Sequence, residues 1–310
     1  ALFDLFAGGD EADVASISLS GRVGGSPLNV ALGLARLGHE TSYFAKMSSD
    51  PFGRRLRAFM ARENIGQQFL IDTDRNTTLA MVSLSSSGTP RYDFYIEGTA
   101  DRSIEVDEVP QSFPDDLLAI HFASYSTVTE PTASALAKLA QQEHGRRFIS
   151  YDPNIRASIE PDLDVWRSRI GATLPYANLV KASEEDLEQV RPGQSVENVL
   201  ADWISAGASL AVVTLGERGA IGVTREGLEV RVPGRSITVA DTVGAGDTFQ
   251  AALLAGLRES GRLSAKKAAS LAKADLHELL TFAVRAAAVT CSRRGADLPR
   301  RADLDLPPLG

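Results

Sequence analysis

Cysteine is almost absent from this chain: Cys291 is the single one among 310 residues, so no intramolecular disulfide can form. Histidine is scarce too, with four scattered residues and no His-Glu-x-x-His spacing, and no zinc site is expected. No apolar run approaches the roughly 18 residues that a membrane-spanning helix needs. The N-terminal stretch carries Asp4 and Asp10 where a secretory signal needs basic residues, which argues against export. Basic charge is in deficit: Lys and Arg number 32 against 40 Asp and Glu, for a formal net charge of −8. Such a field repels a polyphosphate backbone and disfavours nucleic-acid binding, although a nucleotide needs only a small local site. The expectation is a soluble cytoplasmic protein that binds small molecules. Asn76-Thr77-Thr78 fits a glycosylation acceptor, but without an export signal the triplet carries no weight. The chain opens at Ala1 inside a strand-like run, Ala1 to Phe6, so either a leading segment is absent or the numbering covers part of the natural protein.

What is present is core-forming material. Hydrophobic residues make up 44% and charged residues 23%, enough for a substantial core in one large α/β domain or two ordinary ones. Strand-like and helix-like runs alternate, which predicts βαβ units and a parallel sheet. The expected core strands are Thr41–Lys46, Leu117–Phe122, Phe148–Tyr151, Asn178–Lys181, Leu210–Thr214 and Ala220–Val223. Several are apolar throughout, as strands covered by helices on both faces should be. Helices are expected at Thr132–Glu143, Val196–Ala206 and Leu276–Cys291. Two regions break the rhythm: the polar Glu11–Gly25, and Thr78–Ile96, which reads as two strands around a Ser85-Ser86-Ser87-Gly88 turn. They form either a small projecting sheet or a pair of surface hairpins.

The richest stretch is Ser236–Leu257. A strand is expected over Ser236–Ala240, then a tight loop Asp241-Thr242-Val243-Gly244-Ala245-Gly246. A helix follows from near Asp247, with Phe249, Ala252, Leu253, Gly256 and Leu257 at helical spacing. Gly244 and Gly246 allow a sharp turn and a close backbone approach to a ligand. The unpartnered amides and positive dipole end of the helix suit a transferred phosphoryl group. Asp247 is either a helix cap or the base that takes a proton from an attacking hydroxyl. Two rival glycine motifs fail: Gly33–Gly38 is followed by His39-Glu40 where a P-loop needs Lys and Ser/Thr, and Phe249 occupies the third-glycine position of a dinucleotide fingerprint.

A second segment, Gly24-Gly25-Ser26-Pro27-Leu28-Asn29, opens a buried helix with Ser26 as expected N-cap, Pro27 in the first turn and Gly38 as the stop. Asn29 is then a polar group in a buried first turn, bonded either to backbone or to ligand hydroxyls.

Gly24-Gly25-x-x-x-Asn29-x-Ala31 followed by Ala35-x-Leu37-Gly38, and Asp241-Thr242-x-Gly244-Ala245-Gly246-Asp247, resemble the two signatures of the ribokinase-like (phosphofructokinase-B type) carbohydrate kinases. Further similarities are Asp50-Pro51-Phe52-Gly53, Asp152-Pro153-Asn154-x-Arg156, Lys181-Ala182-Ser183-Glu184 and Thr214-Leu215-Gly216-x-x-Gly219. The resemblance implies one domain over residues 1–310: a three-layer parallel sheet with helices on both faces, plus a small β-sheet lid from segments near 10–25 and 77–99. It implies that Asp4, Gly24, Gly25, Asn29, Tyr95 and Arg156 meet the sugar and that Asp247 is the base beside the Gly244-Ala245-Gly246 amides. Lys181, Glu184, Thr214, Gly216 and Gly219 would lie along ATP. Glu184 would organise Mg²⁺ through water, and Asp241-Thr242 would border a possible K⁺ site. Family members carry Asn-x-x-Glu where this chain has Lys181 at the Asn position. Tyr92–Asp101 and Asp152–Arg156 look most like fructokinases, with 2-keto-3-deoxygluconate kinase as runner-up. The latter enzymes often carry Tyr-x-Arg near this lid strand, where an arginine holds a carboxylate bidentately; here Ile96 follows Tyr95, and the first arginine after Tyr95 is Arg102. The lid is also a candidate dimer surface. A non-catalytic sugar or nucleotide sensor on the same fold stands as the reading of another class.

Overall fold

The structure, a computed structural model, describes residues 1–8, 15–84, 90–304 and 308–309. In chain order the strands are β1 (Leu2–Gly8), β2 (Ser18–Gly24), β3 (Thr41–Ser48), β4 (Ile65–Thr73), β5 (Thr78–Leu84) and β6 (Pro90–Tyr95). They continue as β7 (Ala119–Ala123), β8 (Phe148–Asp152), β9 (Leu179–Ser183), β10 (Leu210–Thr214), β11 (Ala220–Thr224) and β12 (Glu229–Val232). The helices are α1 (Ser26–Arg36), α2 (Pro51–Arg62), α3 (Thr132–Glu143), α4 (Leu163–Thr173), α5 (Glu184–Val190) and α6 (Val196–Ala206). After them come α7 (Ala245–Glu259), α8 (Ala265–Ala269) and α9 (Lys273–Cys291).

The main sheet has six strands in the order β12-β11-β10-β9-β8-β7. Strands β7 to β10 are parallel, and β11 and β12 close the far edge as antiparallel neighbours. Ala220–Val223 therefore turns back on β10 instead of extending the parallel run. Five residues (Leu215–Gly219) between β10 and β11 are enough for a hairpin, whereas a parallel crossover needs a dozen or more. Strand β10 explains why its apolar run is uninterrupted. Leu210 and Val212 enter a core built with α7 and α9, while Ala211 and Val213 enter a second core built with α3, α4 and α6. Both faces are covered, as the composition of the strands predicts. Trp166 and Trp203 fill the second core with at most 1% of their surface exposed.

Two expectations need correction. Thr41–Lys46 pairs with β4 in a separate two-stranded parallel sheet and has no strand partner in the main one. Ser236–Ala240 is not a strand: Val239 is 59% exposed, and the backbone is tied only where the Ala240 amide donates to the Cys291 carbonyl. Its apolar alternation has no sheet edge to join.

The irregular regions do form a small sheet, in the order β2-β1-β5-β6, with β1 parallel to β5 and antiparallel to β2. The run Ala1–Phe6 thus belongs to this lid and not to the main sheet. The Ser85–Gly88 turn, and residues 10–14 of the segment assigned to the lid, lie outside the described residues.

One side chain anchors the lid to the body. Asp50 precedes α2 and accepts from the Gly53 amide at 2.7 Å, the Thr77 amide at 2.7 Å and the Thr77 hydroxyl at 2.8 Å. Burial pushes its carboxyl pKa up, but these bonds more than offset that and hold it below 3.8. A depressed folded-state value means that the stabilisation is present above the unfolded value and is lost as the pH falls through the folded one. Asp50→Ala is expected to lower the unfolding free energy by about 1–2 kcal/mol at pH 7 in a urea titration. The gap to the parent should narrow at pH 3, and a gap independent of pH would contradict this role.

Candidate active site

Helices α1 and α7 cross at glycine. A methyl group at Gly33 would lie 2.6 Å from the Ala251 methyl, so only hydrogen permits this approach. The crossing brings the first turns of both helices together. The Ser26 hydroxyl donates to Asp247 Oδ1 at 2.7 Å, and Asn29 Nδ2 donates to Asp247 Oδ2 at 2.8 Å. Asp247 and Asn29 are each 7% exposed. Ser26 is thus not the N-cap. Gly25, at φ 106°, precedes the helix, Pro27 sits in its first turn, and the serine hydroxyl is spent on Asp247. The Asn29 side-chain amide likewise donates to the carboxylate of the other helix.

Gly244 stands before α7 in the left-handed region, φ 79°, where a side chain would also press on Ala296. Its carbonyl accepts from the Thr248 amide at 2.9 Å and the Thr248 hydroxyl at 2.8 Å. The Ala245 amide donates to the Thr242 carbonyl at 3.2 Å. That acceptor lies outside α7, and the amides of Gly246 and Asp247 in the first turn have no intrahelical acceptor.

Beneath this loop lies a buried cation that sequence reading placed only loosely. Lys181, 3% exposed, points its ammonium at Asp152 Oδ2 (2.7 Å) and at the Gly246 carbonyl (3.3 Å). Burial pulls the lysine pKa down, but Asp152, Asp186 and Asp247 together raise it above its ordinary value. Burial pushes Asp152 up to about 6. The same burial, with Lys181 nearby, drives His121 down to about 3, so this histidine is neutral at physiological pH.

Glu184 and Asp186 take different places. Glu184 lies at the rim in an ion pair with Arg218. The carboxylate that shares the buried charge cluster is Asp186, 7% exposed, which accepts from the Ser183 hydroxyl at 2.7 Å and the Ile155 amide at 2.8 Å. A capping box beginning at Ser183 sets the phase of α5, and that phase turns the third acidic residue inward.

On β1, Asp4 sits where a side chain at Gly24 would collide with it, 2.3 Å from Oδ2. Burial lifts the Asp4 pKa to about 6, and the field of Arg156 opposes that rise. Arg156 is exposed and hydrogen-bonds Asn154 Oδ1 at 2.6 Å. Tyr95, 62% exposed on the last lid strand, is not gathered into the buried cluster.

Thr214 ends β10, beside a turn closed by Leu215 N donating to Gly219 O at 2.8 Å, with Gly216 and Gly219 at φ 58° and 95°. Asp241 spends its oxygens on the Val243 amide (3.1 Å) and the Gly295 amide (2.8 Å), while the Thr242 carbonyl takes the Ala245 amide. Among the described residues no three His, Cys, Asp or Glu converge as a metal site.

A carboxylate held at a glycine-bounded helix start, with free amides and a buried ammonium behind it, is equipment for transferring a phosphoryl group to an alcohol. The model of the pfkB family of carbohydrate kinases matches residues 5–303, and the chain belongs to that family. Among curated proteins it is 37% identical over 248 residues to a fructokinase of Rhizobium leguminosarum bv. trifolii, covering 80% of this chain and 75% of that one. A crystal structure of a fructokinase double mutant from Vibrio cholerae, with fructose, ADP and potassium bound, superposes with a TM-score of 0.79 at 26% identity; 98% of this chain and 94% of that one are covered. A fructokinase from Xylella fastidiosa with bound ATP has the same fold, with a TM-score of 0.83 at 24% identity over 98% of this chain and 94% of that one.

Because the folded-state pKa of Asp4 lies above its unfolded value, its contribution to stability is complete below about 3.8 and is lost as the pH rises through about 6. Arg156→Ala should move the Asp4 midpoint higher still, read by carboxyl carbon NMR. An unchanged midpoint would show that Arg156 does not face Asp4.

Proposed function

We propose that the protein transfers the γ-phosphoryl group of ATP to the primary hydroxyl at C6 of fructose. The observation that carries this reading is the position of Asp247, clamped by Ser26 and Asn29 at the mouth of α7. Each carboxylate oxygen accepts one of these bonds and keeps a second lone pair, so the group is oriented without being consumed. It is placed to take the proton of an attacking sugar hydroxyl. The Gly246 and Asp247 amides, the dipole of α7 and the Lys181 ammonium together favour negative charge on the transferring group. Asp4, Gly24 and Gly25 would meet sugar hydroxyls, and closure of the lid sheet would exclude water, the competing acceptor. Thr214 and the Gly216–Gly219 turn would border the nucleotide.

The donor set fits Mg²⁺, which is held by one or two carboxylates together with substrate phosphates and waters and needs no all-protein cage. Asp186, Asp247 and Glu184 are the carboxylates at hand, and the ion supplies neutralisation of charge on the phosphates. Carbonyls around Asp241-Thr242 are the corresponding donors for K⁺.

A neutral sugar fits better than a sugar acid. Arg102, the arginine nearest Tyr95 beyond Ile96, is already paired with Glu97 at 2.9 Å. Arg156 lies in the field of Asp4, so an acidic substrate there would meet a second carboxylate.

The test is consumption of ATP by the purified protein with Mg²⁺ and K⁺, comparing fructose with 2-keto-3-deoxygluconate. Fructose should turn over, and Asp247→Asn should cut that turnover by at least about a hundredfold. Near-normal turnover in the variant would refute the base. Turnover on the keto acid alone would keep the mechanism and overturn the substrate.

A further inference from the structure

Among the described residues, three that are not glycine occupy the left-handed backbone region: Asn64 at φ 57°, Ser124 at φ 62° and Asn154 at φ 40°. Asn64 directly follows the cap of α2, an ordinary place for this conformation. The other two stand elsewhere. Ser124 follows β7 and Asn154 lies just beyond β8, so both sit at the finishing ends of neighbouring parallel strands. Open α/β sheets bind their ligands at that end. Backbone conformations that cost energy persist where the surroundings hold them, and they gather at binding sites. Here the hold is visible. Ser124, 3% exposed, donates its hydroxyl to the Asn154 carbonyl at 3.0 Å and ties the two strand ends together.

The turn beyond β8 pins an arginine. Nη1 of Arg156 donates to Asn154 Oδ1 at 2.6 Å, to the Ile155 carbonyl at 2.9 Å and to the Asn154 carbonyl at 3.4 Å. All three acceptors belong to the turn itself. The turn is fixed to the start of α5, because the Ile155 amide donates to Asp186 Oδ1 at 2.8 Å. Among the described residues, Nε and Nη2 of Arg156 make no hydrogen bond. Those two nitrogens form one flat edge of the guanidinium, which can make two parallel bonds to a ligand. An exposed arginine ordinarily loses much rotamer freedom when it binds. With one nitrogen already pinned, part of that loss is met before the ligand arrives.

A carboxylate lies in reach of this charge. The field of Arg156 acts on Asp4 of β1, against the effect of burial. The cation opposite Asp4 on β2, Arg22, packs over the Phe6 ring at 5.9 Å from its centroid. Ionised Asp4 only accepts hydrogen bonds and Arg156 only donates them. Together they match neighbouring hydroxyls, each of which can do both.

We propose that Asn154 is a positioning residue for the sugar: it pins one nitrogen of Arg156, so that the opposite edge is offered, with Asp4, to two adjacent hydroxyls. This deepens the reading of the protein as a sugar kinase and rests on it. Bending the chain after β8 needs only the Asn154 backbone, and glycine does that without steric cost. Pinning Arg156 needs the side-chain oxygen.

The experiment compares Asn154→Gly, Asn154→Asp and Arg156→Ala with the parent by two readouts. One is the Asp4 midpoint from carboxyl carbon NMR without ligand; the other is KM against kcat for fructose. Asn154→Gly should raise the Asp4 midpoint above about 6, as Arg156→Ala does, because the released guanidinium moves into water. Its KM should rise about tenfold with kcat within about twofold, as when binding is lost equally from ground and transition states. Asn154→Asp keeps the acceptor and tolerates the left-handed backbone, and should return KM to within about threefold of the parent. The double variant Asn154→Gly, Arg156→Ala should be no worse than Arg156→Ala alone. An unchanged Asp4 midpoint in Asn154→Gly, or an unchanged KM where the parent turns fructose over, would overturn the proposal. So would losses that multiply in the double variant. A raised midpoint without fructose turnover in any of the proteins would support the tether while refuting fructose as the sugar.

Discussion

The clamp on Asp247 is the interaction on which the rest of the site depends. Two residues of α1, Ser26 and Asn29, hold the two oxygens of one residue of α7, more than two hundred positions away. That contact exists because Gly33 lets the helices touch, and because the apolar residues of α7 fix it against α9 and the main sheet. In the proposed reaction this one arrangement, assembled where two helices begin, would serve both proton removal and anion binding.

Charge inside the body supports this arrangement. Lys181 is surrounded by Asp152, Asp186 and Asp247, and a lone ammonium at that depth would be lowered in pKa were it not for them. Its contact with the Gly246 carbonyl ties the buried pair to the glycine loop at the start of α7. Removing Asp152 or Lys181 alone would strand the partner charge, so the pair stands or falls together. A buried positive charge thus lies beside the glycine loop in a chain whose net charge is negative.

The local features of the candidate site that are legible in the sequence are written in short-range patterns. A glycine-bounded loop before an apolar helix announces an anion site, and Asp247 is conspicuous within it. Gly24, Gly25 and Asn29 announce a helix start that must face something polar. What was not legible depends on phase and on distant pairing. In the acidic run Glu184-Glu185-Asp186, composition does not say which carboxylate turns inward; the capping of α5 by Ser183 decides it. Ser26 has every local mark of an N-cap, yet a carboxylate far along the chain takes its hydroxyl. The six expected core strands all exist, and α3 and α6 match their predicted limits. Period alone could not tell that β3 leaves the main sheet, that β11 returns antiparallel, or that Ser236–Ala240 finds no edge.

A double-mutant cycle in turnover number tests most directly whether Asn29 acts through Asp247. Asn29→Ala, Asp247→Asn and the double variant are measured at saturating sugar and nucleotide. If the amide serves to orient the carboxylate, the double variant is no slower than Asp247→Asn alone, because the group to be oriented is already gone. Losses that multiply across the two sites would show that Asn29 and Asp247 work independently, and the clamp would lose its place at the centre of the mechanism.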